Sequence, residues 1–148
     1  MGLPLHPLVV HAAVVFIPLL IAGALAYALV PRLRPRLGWV VVALAIVAPL
    51  TALVSKLSGD AFRARQARNN TATPEILAKI DEHRGLGTIT LYLTIALALV
   101  ALALVLLRQR PVVVSGVLIV AAVVLGLVTG YYVFRTGDSA ARIVWNGY

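Results

Sequence analysis

The sequence predicts an all-α integral membrane protein, a four-helix bundle running up-down-up-down with helices two and three extended beyond the bilayer. Three observations predict it. Of 148 residues, 61% are hydrophobic and 12% charged, and the mean hydropathy is +0.99, far above a soluble domain whose apolar share is nearer about half. The apolar residues gather in four blocks, 8–30, 37–57, 86–107 and 112–134, each close to the ~20 residues that cross ~30 Å of hydrocarbon at ~1.5 Å per residue. Two of the three connections are short, which makes the helices they join antiparallel neighbours. The whole chain, 1–148, then reads as one transmembrane domain, with 58–85 as a polar connection carrying helical extensions.

Helix one is expected to start at Pro7, where a missing N–H costs nothing, and to end at Val30 before Pro31 and Pro35. Pro18 in its interior predicts a kink. Helix two is expected from Gly38–Trp39, with the indole at the interface. Thr51, Ser55 and Gly59 recur at spacing four, a small and polar stripe suited to a bundle interior. The hydrophilic run SGDAFRARQARNN, from Ser58, is expected to extend the helix into water as far as Asn69–Asn70.

Helix three has the clearest start, with Thr73 as N-cap, Pro74 in the first turn and Glu75 at the positive end of the dipole. Ile76, Ile80, His83, Gly87, Thr90 and Thr94 follow on one face. The turn Arg108–Pro111 leads into helix four, where Ala122, Gly126 and Gly130 form a small-xxx-small stripe for helix packing. Tyr131 and Tyr132 make an aromatic girdle, and the tail beyond is amphipathic, with Ile143, Val144 and Trp145 able to lie in the interface.

The formal net charge of +8 would suggest nucleic acid in a soluble protein. Here the arginines sit at helix ends, where lipid phosphate and topology account for them, so no nucleic-acid partner is expected. There is no cysteine, which excludes thiolate metal sites, iron–sulfur ligation, c-type haem attachment and disulfides in this chain. No basic residue precedes the first block, so it does not read as a signal peptide. Arg32, Arg34 and Arg36 follow helix one, whereas its leading flank is uncharged. That bias puts both termini and all three histidines on the outer side of a multi-pass cell-membrane protein.

The chemistry rests on those histidines. Helices one and three cross in the same direction, so His11 and His83 reach one surface, and a bundle holding haem b needs imidazoles from different helices with small residues making room. Gly87 and Thr90 would supply the space and a hydroxyl. His6 is the weaker candidate, because Pro7 follows it and it is expected before the helix. A divalent metal held by His6, His11 and His83, with Asp81, Glu82 or Asp138 as carboxylate, is the other cofactor reading. The apolar blocks contain no carboxylate, which argues against an ion relay. No phosphate-cradling loop or nucleophile with a partner points to an enzyme.

The opening LPLHPLVVH, the SGDAF stretch closing helix two, the histidine of DEHRGLG and the tail TGYYVFRTGDSAARIVWNG together resemble domain-of-unknown-function family 2231, four-helix bacterial membrane proteins. The resemblance implies association with respiratory or other redox components, some relatives being joined to Rieske-type domains. Relatives sometimes carry a glycine-histidine motif in the tail; here Gly137–Asp138–Ser139 stands there, so that histidine's role is absent or passes to Asp138. The leading expectation is a non-catalytic accessory subunit of a larger membrane complex, respiratory complexes included. It would meet other subunits or copies of itself through the Ala122–Gly126–Gly130 face and the projecting stalk. A haem b electron-transfer protein with His11 and His83 as axial ligands comes second, and a metal-binding membrane protein third.

Overall fold

A computed structural model describes residues 5–107, 109 and 111–146. It contains four long helices, α1 (Leu5–Leu29), α2 (Arg34–Arg68), α3 (Pro74–Leu106) and α4 (Val112–Asn146), with a 3-10 turn at Pro31–Leu33. All four are long and apolar enough to cross a membrane, and no strand occurs among the described residues. Each helix packs on the next, and α4 packs back on α1, while α1 and α3 meet only weakly across the diagonal. This is the up-down-up-down ring expected from the short connections.

α1 starts before Pro7 and contains His6. The first N–H groups of a helix have no intrahelical partner, so a proline in the first turn removes no bond and lets the helix run back to Leu5. α2 also starts early. Pro31 opens the 3-10 turn and Pro35 sits in the first turn of α2, so both prolines begin helices. Arg34 ties the corner, donating from Nε to Tyr27 O (3.0 Å) and from Nη2 to Ala28 O (3.0 Å). A cation on the last carbonyls of α1 satisfies acceptors that would otherwise be left in an apolar setting.

α2 continues through Gly59 to Arg68, and Asn70 at φ 50 leads out of it. Thr73 caps α3 as expected, its hydroxyl accepting from Ile76 N at 3.3 Å, and the helix runs Pro74–Leu106, one residue short of the apolar block's end at 107. α4 is longer than expected. No proline interrupts Arg135–Asn146 and Gly137 is absorbed within the helix, so the tail is helix and α4 projects beside α2 and α3. Arg108 and Arg110 lie outside the described residues.

The core is built from small residues. Ala24, Ala28, Ala45, Ala48, Ala52, Ala98, Ala101 and Ala122 are buried around Leu20, Val41, Leu97 and Leu104. Lipid supplies no hydrophobic drive between helices, so close backbone approach and van der Waals contact do the holding. The Ala122–Gly126–Gly130 stripe belongs to this packing. A Cβ on Gly126 would stand 3.4 Å from Leu25 Cδ2 and 3.6 Å from Ile21 Cγ2, and one on Gly130 3.9 Å from Ile21 Cδ1. The stripe therefore packs on α1 of the same chain, which corrects the expectation that it faces a partner.

Candidate functional site: a histidine pair at the polar end

The N-terminus of α1, the C-terminal turns of α2, the start of α3 and the end of α4 meet at one end of the bundle. His6 enters from α1. Its Nδ1 is 3.1 Å from Ser55 O and 3.0 Å from Ser58 Oγ, and the Ser58 hydroxyl itself donates to Ser55 O at 2.9 Å. A carbonyl only accepts, so His6 carries its proton on Nδ1 and leaves Nε2 as a lone pair. Gly59 makes the fit possible, since a Cβ there would lie 3.0 Å from His6 Cε1. Phe62 stacks beside the ring at 6.2 Å between centroids.

His83 enters from α3 and meets α4. Its Nδ1 is 2.8 Å from Ser139 Oγ, and that hydroxyl donates to Thr136 O at 2.8 Å. With that proton on Thr136 O, Ser139 Oγ is placed to accept from His83 Nδ1, an arrangement that suits a proton on Nδ1. The two rings stand edge to face, 6.3 Å between centroids and 72° apart. The hydrogen bonds to both rings run through Nδ1, and the Thr136 backbone is a further partner of His83. Two half-buried imidazoles from helices that barely touch elsewhere are thus held side by side, each oriented through Nδ1.

Charged residues frame the pair. Arg84 bridges Asp60 and Asp81 at 2.8 Å each, Arg63 binds Asp81 at 2.8 Å and Lys56 binds Asp60 at 2.8 Å. This chain of ion pairs staples α2 to α3 on the polar extensions. Hydrogen bonds from Arg63, then from Arg84, hold the Asp81 carboxyl down at about 2. Lys56 first, then Arg84, lowers that of Asp60. Below His83 a line of hydroxyls continues inward: Thr90 meets Thr136 Oγ1 at 2.9 Å, and Thr94 donates to Thr90 O at 2.7 Å.

The structure redistributes the residues singled out in the sequence. His83 lies at the centre of the cluster, but His11 does not face it. His11 is exposed, and its Nδ1 binds Pro7 O of its own helix at 2.6 Å. His6 stands in its place. Because α1 starts before Pro7, His6 is helical, and the five-residue step to His11 turns that side chain away from the bundle. Gly87 has open space at its Cβ position, and Thr90 is buried against α4. Asp81 is committed to arginines and Asp138 to Arg142 at 2.8 Å. No group of three His, Cys, Asp or Glu able to hold a metal occurs among the described residues, so the expected set His6, His11 and His83 does not assemble. Sequence reasoning missed Ser58, Phe62 and Ser139. The spacing Ser55, Ser58, Phe62 on one face of α2 was the available signal.

No curated protein and no solved structure matches the chain. Residues 2–147 match the family described as "Predicted membrane protein (DUF2231)". That match spans nearly the whole chain and includes every residue of the histidine cluster, and the protein belongs to this family of membrane proteins.

Proposed function

We propose that the protein is a small multi-pass membrane protein whose working part is the His6–His83 pair, a two-nitrogen ligand set for a transition-metal ion. The observation that carries this is that both rings are anchored through Nδ1. Each Nδ1 lies within hydrogen-bond reach of an oxygen, Ser55 O for His6 and Ser139 Oγ for His83, which is how metal-binding imidazoles are commonly oriented and made more basic. Two imidazoles from different helices with centroids 6.3 Å apart favour a shared Lewis acid.

Haem b suits the pair less well. The 6.3 Å between centroids agrees with axial imidazoles, but the α2 backbone at Gly59 lies against the Cε1 edge of His6. A macrocycle spreading several ångströms around its iron would displace it, whereas a bare ion would not. His11, exposed and bonded within its own helix, is unsuited to be the axial ligand opposite His83.

An accessory role in a larger, respiratory-type membrane complex is the second reading. The projecting ends of α2, α3 and α4 favour it, being cross-tied by ion pairs and carrying Trp145, 80% exposed. Elemental analysis and an absorption spectrum of natively purified protein test these readings together. A metal lost in His6→Ala and His83→Ala but kept in His11→Ala supports the pair. A Soret band dependent on His83 would reinstate haem. Metal-free, colourless protein that co-purifies with other subunits would leave only the accessory role.

A further inference from the structure

We propose that the open cavity between the outer turns of α3 and α4 binds the headgroup of a membrane phospholipid, one whose phosphodiester carries a single net negative charge and whose terminus bears hydroxyls. The site does not depend on what the histidine pair binds.

The cavity, about 520 Å³ in volume, lies at headgroup depth. His83 on Ser139 (2.8 Å) and Thr90 on Thr136 (2.9 Å) fix the register of the two helices that form it. Leu86 and Arg135 belong to its wall. Leu86 opens the third apolar block and Arg135 directly follows the fourth, so the cavity stands where both helices leave the hydrocarbon. Glu82, Lys79 and Arg142, also in the wall, are one to two turns further out. Three and four residues deeper than Leu86 and Arg135, on the same helix faces, Ile89 and Tyr131 are exposed, and acyl chains would lie over them.

Arg135 supplies the anion contact. An arginine at the end of a membrane span commonly reaches outward to water. Arg135 instead runs back one turn along α4, its Nη1 donating to Tyr131 Oη at 2.9 Å and its guanidinium carbon 5.8 Å from the Tyr131 ring centre. Interfacial tyrosines sit among the headgroups, so this contact holds the cation at the depth of lipid phosphate. Arg135 has no carboxylate partner among the described residues. Its remaining N–H groups suit a phosphate, which guanidinium binds through paired hydrogen bonds.

The charge of the wall selects the lipid. Lys79, Arg135 and Arg142 stand with Glu82 and Asp138, one cation in excess. Asp138 holds Arg142 Nε at 2.8 Å, and the exposed contact of Lys79 with Glu75 at 3.2 Å is of a kind that contributes little. One excess cation matches a phosphodiester monoanion, whereas a phosphomonoester brings roughly two charges past the same acids. Glu82 has no cation within ion-pair distance among the described residues. An ionised carboxylate only accepts, which suits the hydroxyls of a glycerol terminus. A zwitterionic headgroup could place its ammonium there but would leave the excess cation uncompensated.

The test uses the full chain, delipidated in detergent, with phosphatidylglycerol, phosphatidylethanolamine, phosphatidylcholine or the water-soluble glycerophosphoglycerol added back. Melting temperature and lipid retention by native mass spectrometry are the readouts. Phosphatidylglycerol should raise Tm, and one molecule per chain should be retained in preference to either zwitterionic lipid by about fivefold, while the free headgroup has no effect. Arg135→Gln should abolish the preference, Tyr131→Phe should weaken it by releasing the arginine, and Arg32→Gln, at the opposite end, should leave it intact. The unliganded Tm reports whether each variant is folded, and the comparison of lipids on the wild type decides even where a variant is not. Equal retention of the three lipids, or preference for a zwitterionic one, overturns the proposal. A Tm rise with glycerophosphoglycerol alone assigns the cavity to a soluble phosphodiester and overturns the lipid, and a preference that survives in folded Arg135→Gln places the lipid elsewhere and overturns the site.

Discussion

Gly59 controls where His6 can stand. Its missing side chain leaves 3.0 Å between a hypothetical Cβ and His6 Cε1, so Gly59→Ala must push the imidazole away by a few tenths of an ångström without removing a ligand. Metal retention by Gly59→Ala should fall well below wild type while the protein still elutes as a folded monodisperse species; unchanged retention would show that ring position does not matter. Thr129 presents the opposite case. Its hydroxyl is fully buried and has no hydrogen-bond partner among the described residues, so Thr129→Val removes a desolvation penalty and keeps the shape. It should raise stability by about 1 kcal/mol in a detergent melting assay. At this scale the sequence was only partly legible. His83 was identifiable from its helical face, but choosing between His6 and His11 required knowing on which side of Pro7 the helix begins. A proline in a first turn leaves that open.

The elements were read more easily, because apolar blocks and caps are local signals, and Thr73–Pro74 marked the start of α3 without tertiary information. What pattern could not convey was the use of each face. The Ala122–Gly126–Gly130 stripe looks alike whether its partner is α1 or another protein. Since it packs on Leu25 and Ile21, Gly126→Leu should overpack the α1–α4 contact and cost about 1–3 kcal/mol, read as a lower Tm. The α2–α3 staple has a pH signature. Asp81 is depressed from 3.8 to about 2 by Arg63 and Arg84, so the stability from its ionised form is complete above the unfolded value. It is lost as pH falls through about 2. Between those limits Tm should decline with acid in wild type and decline less in Asp81→Asn; parallel curves would mean that the staple contributes nothing.

For the whole molecule, the ring of antiparallel helices puts the start of α1, the α2–α3 connection and the end of α4 at one end, together with the histidine pair, and Arg32, Arg34 and Arg36 at the other. The sidedness of the membrane then decides which pool of metal reaches the pair. Short turns dense in arginine are retained on the cytoplasmic side, and carboxylates count for little in that balance. The polar end is therefore expected outside, despite its larger total of basic residues over a longer span. A chain without cysteine can be mapped by single substitutions in an otherwise unreactive background. On intact cells a membrane-impermeant maleimide should label Thr71→Cys and should reach Arg32→Cys only after permeabilisation. The reverse pattern would put His6 and His83 in contact with the cytosol. Labelling of both positions from one side would reject the four-span topology itself, because α2 alone separates residue 32 from residue 71.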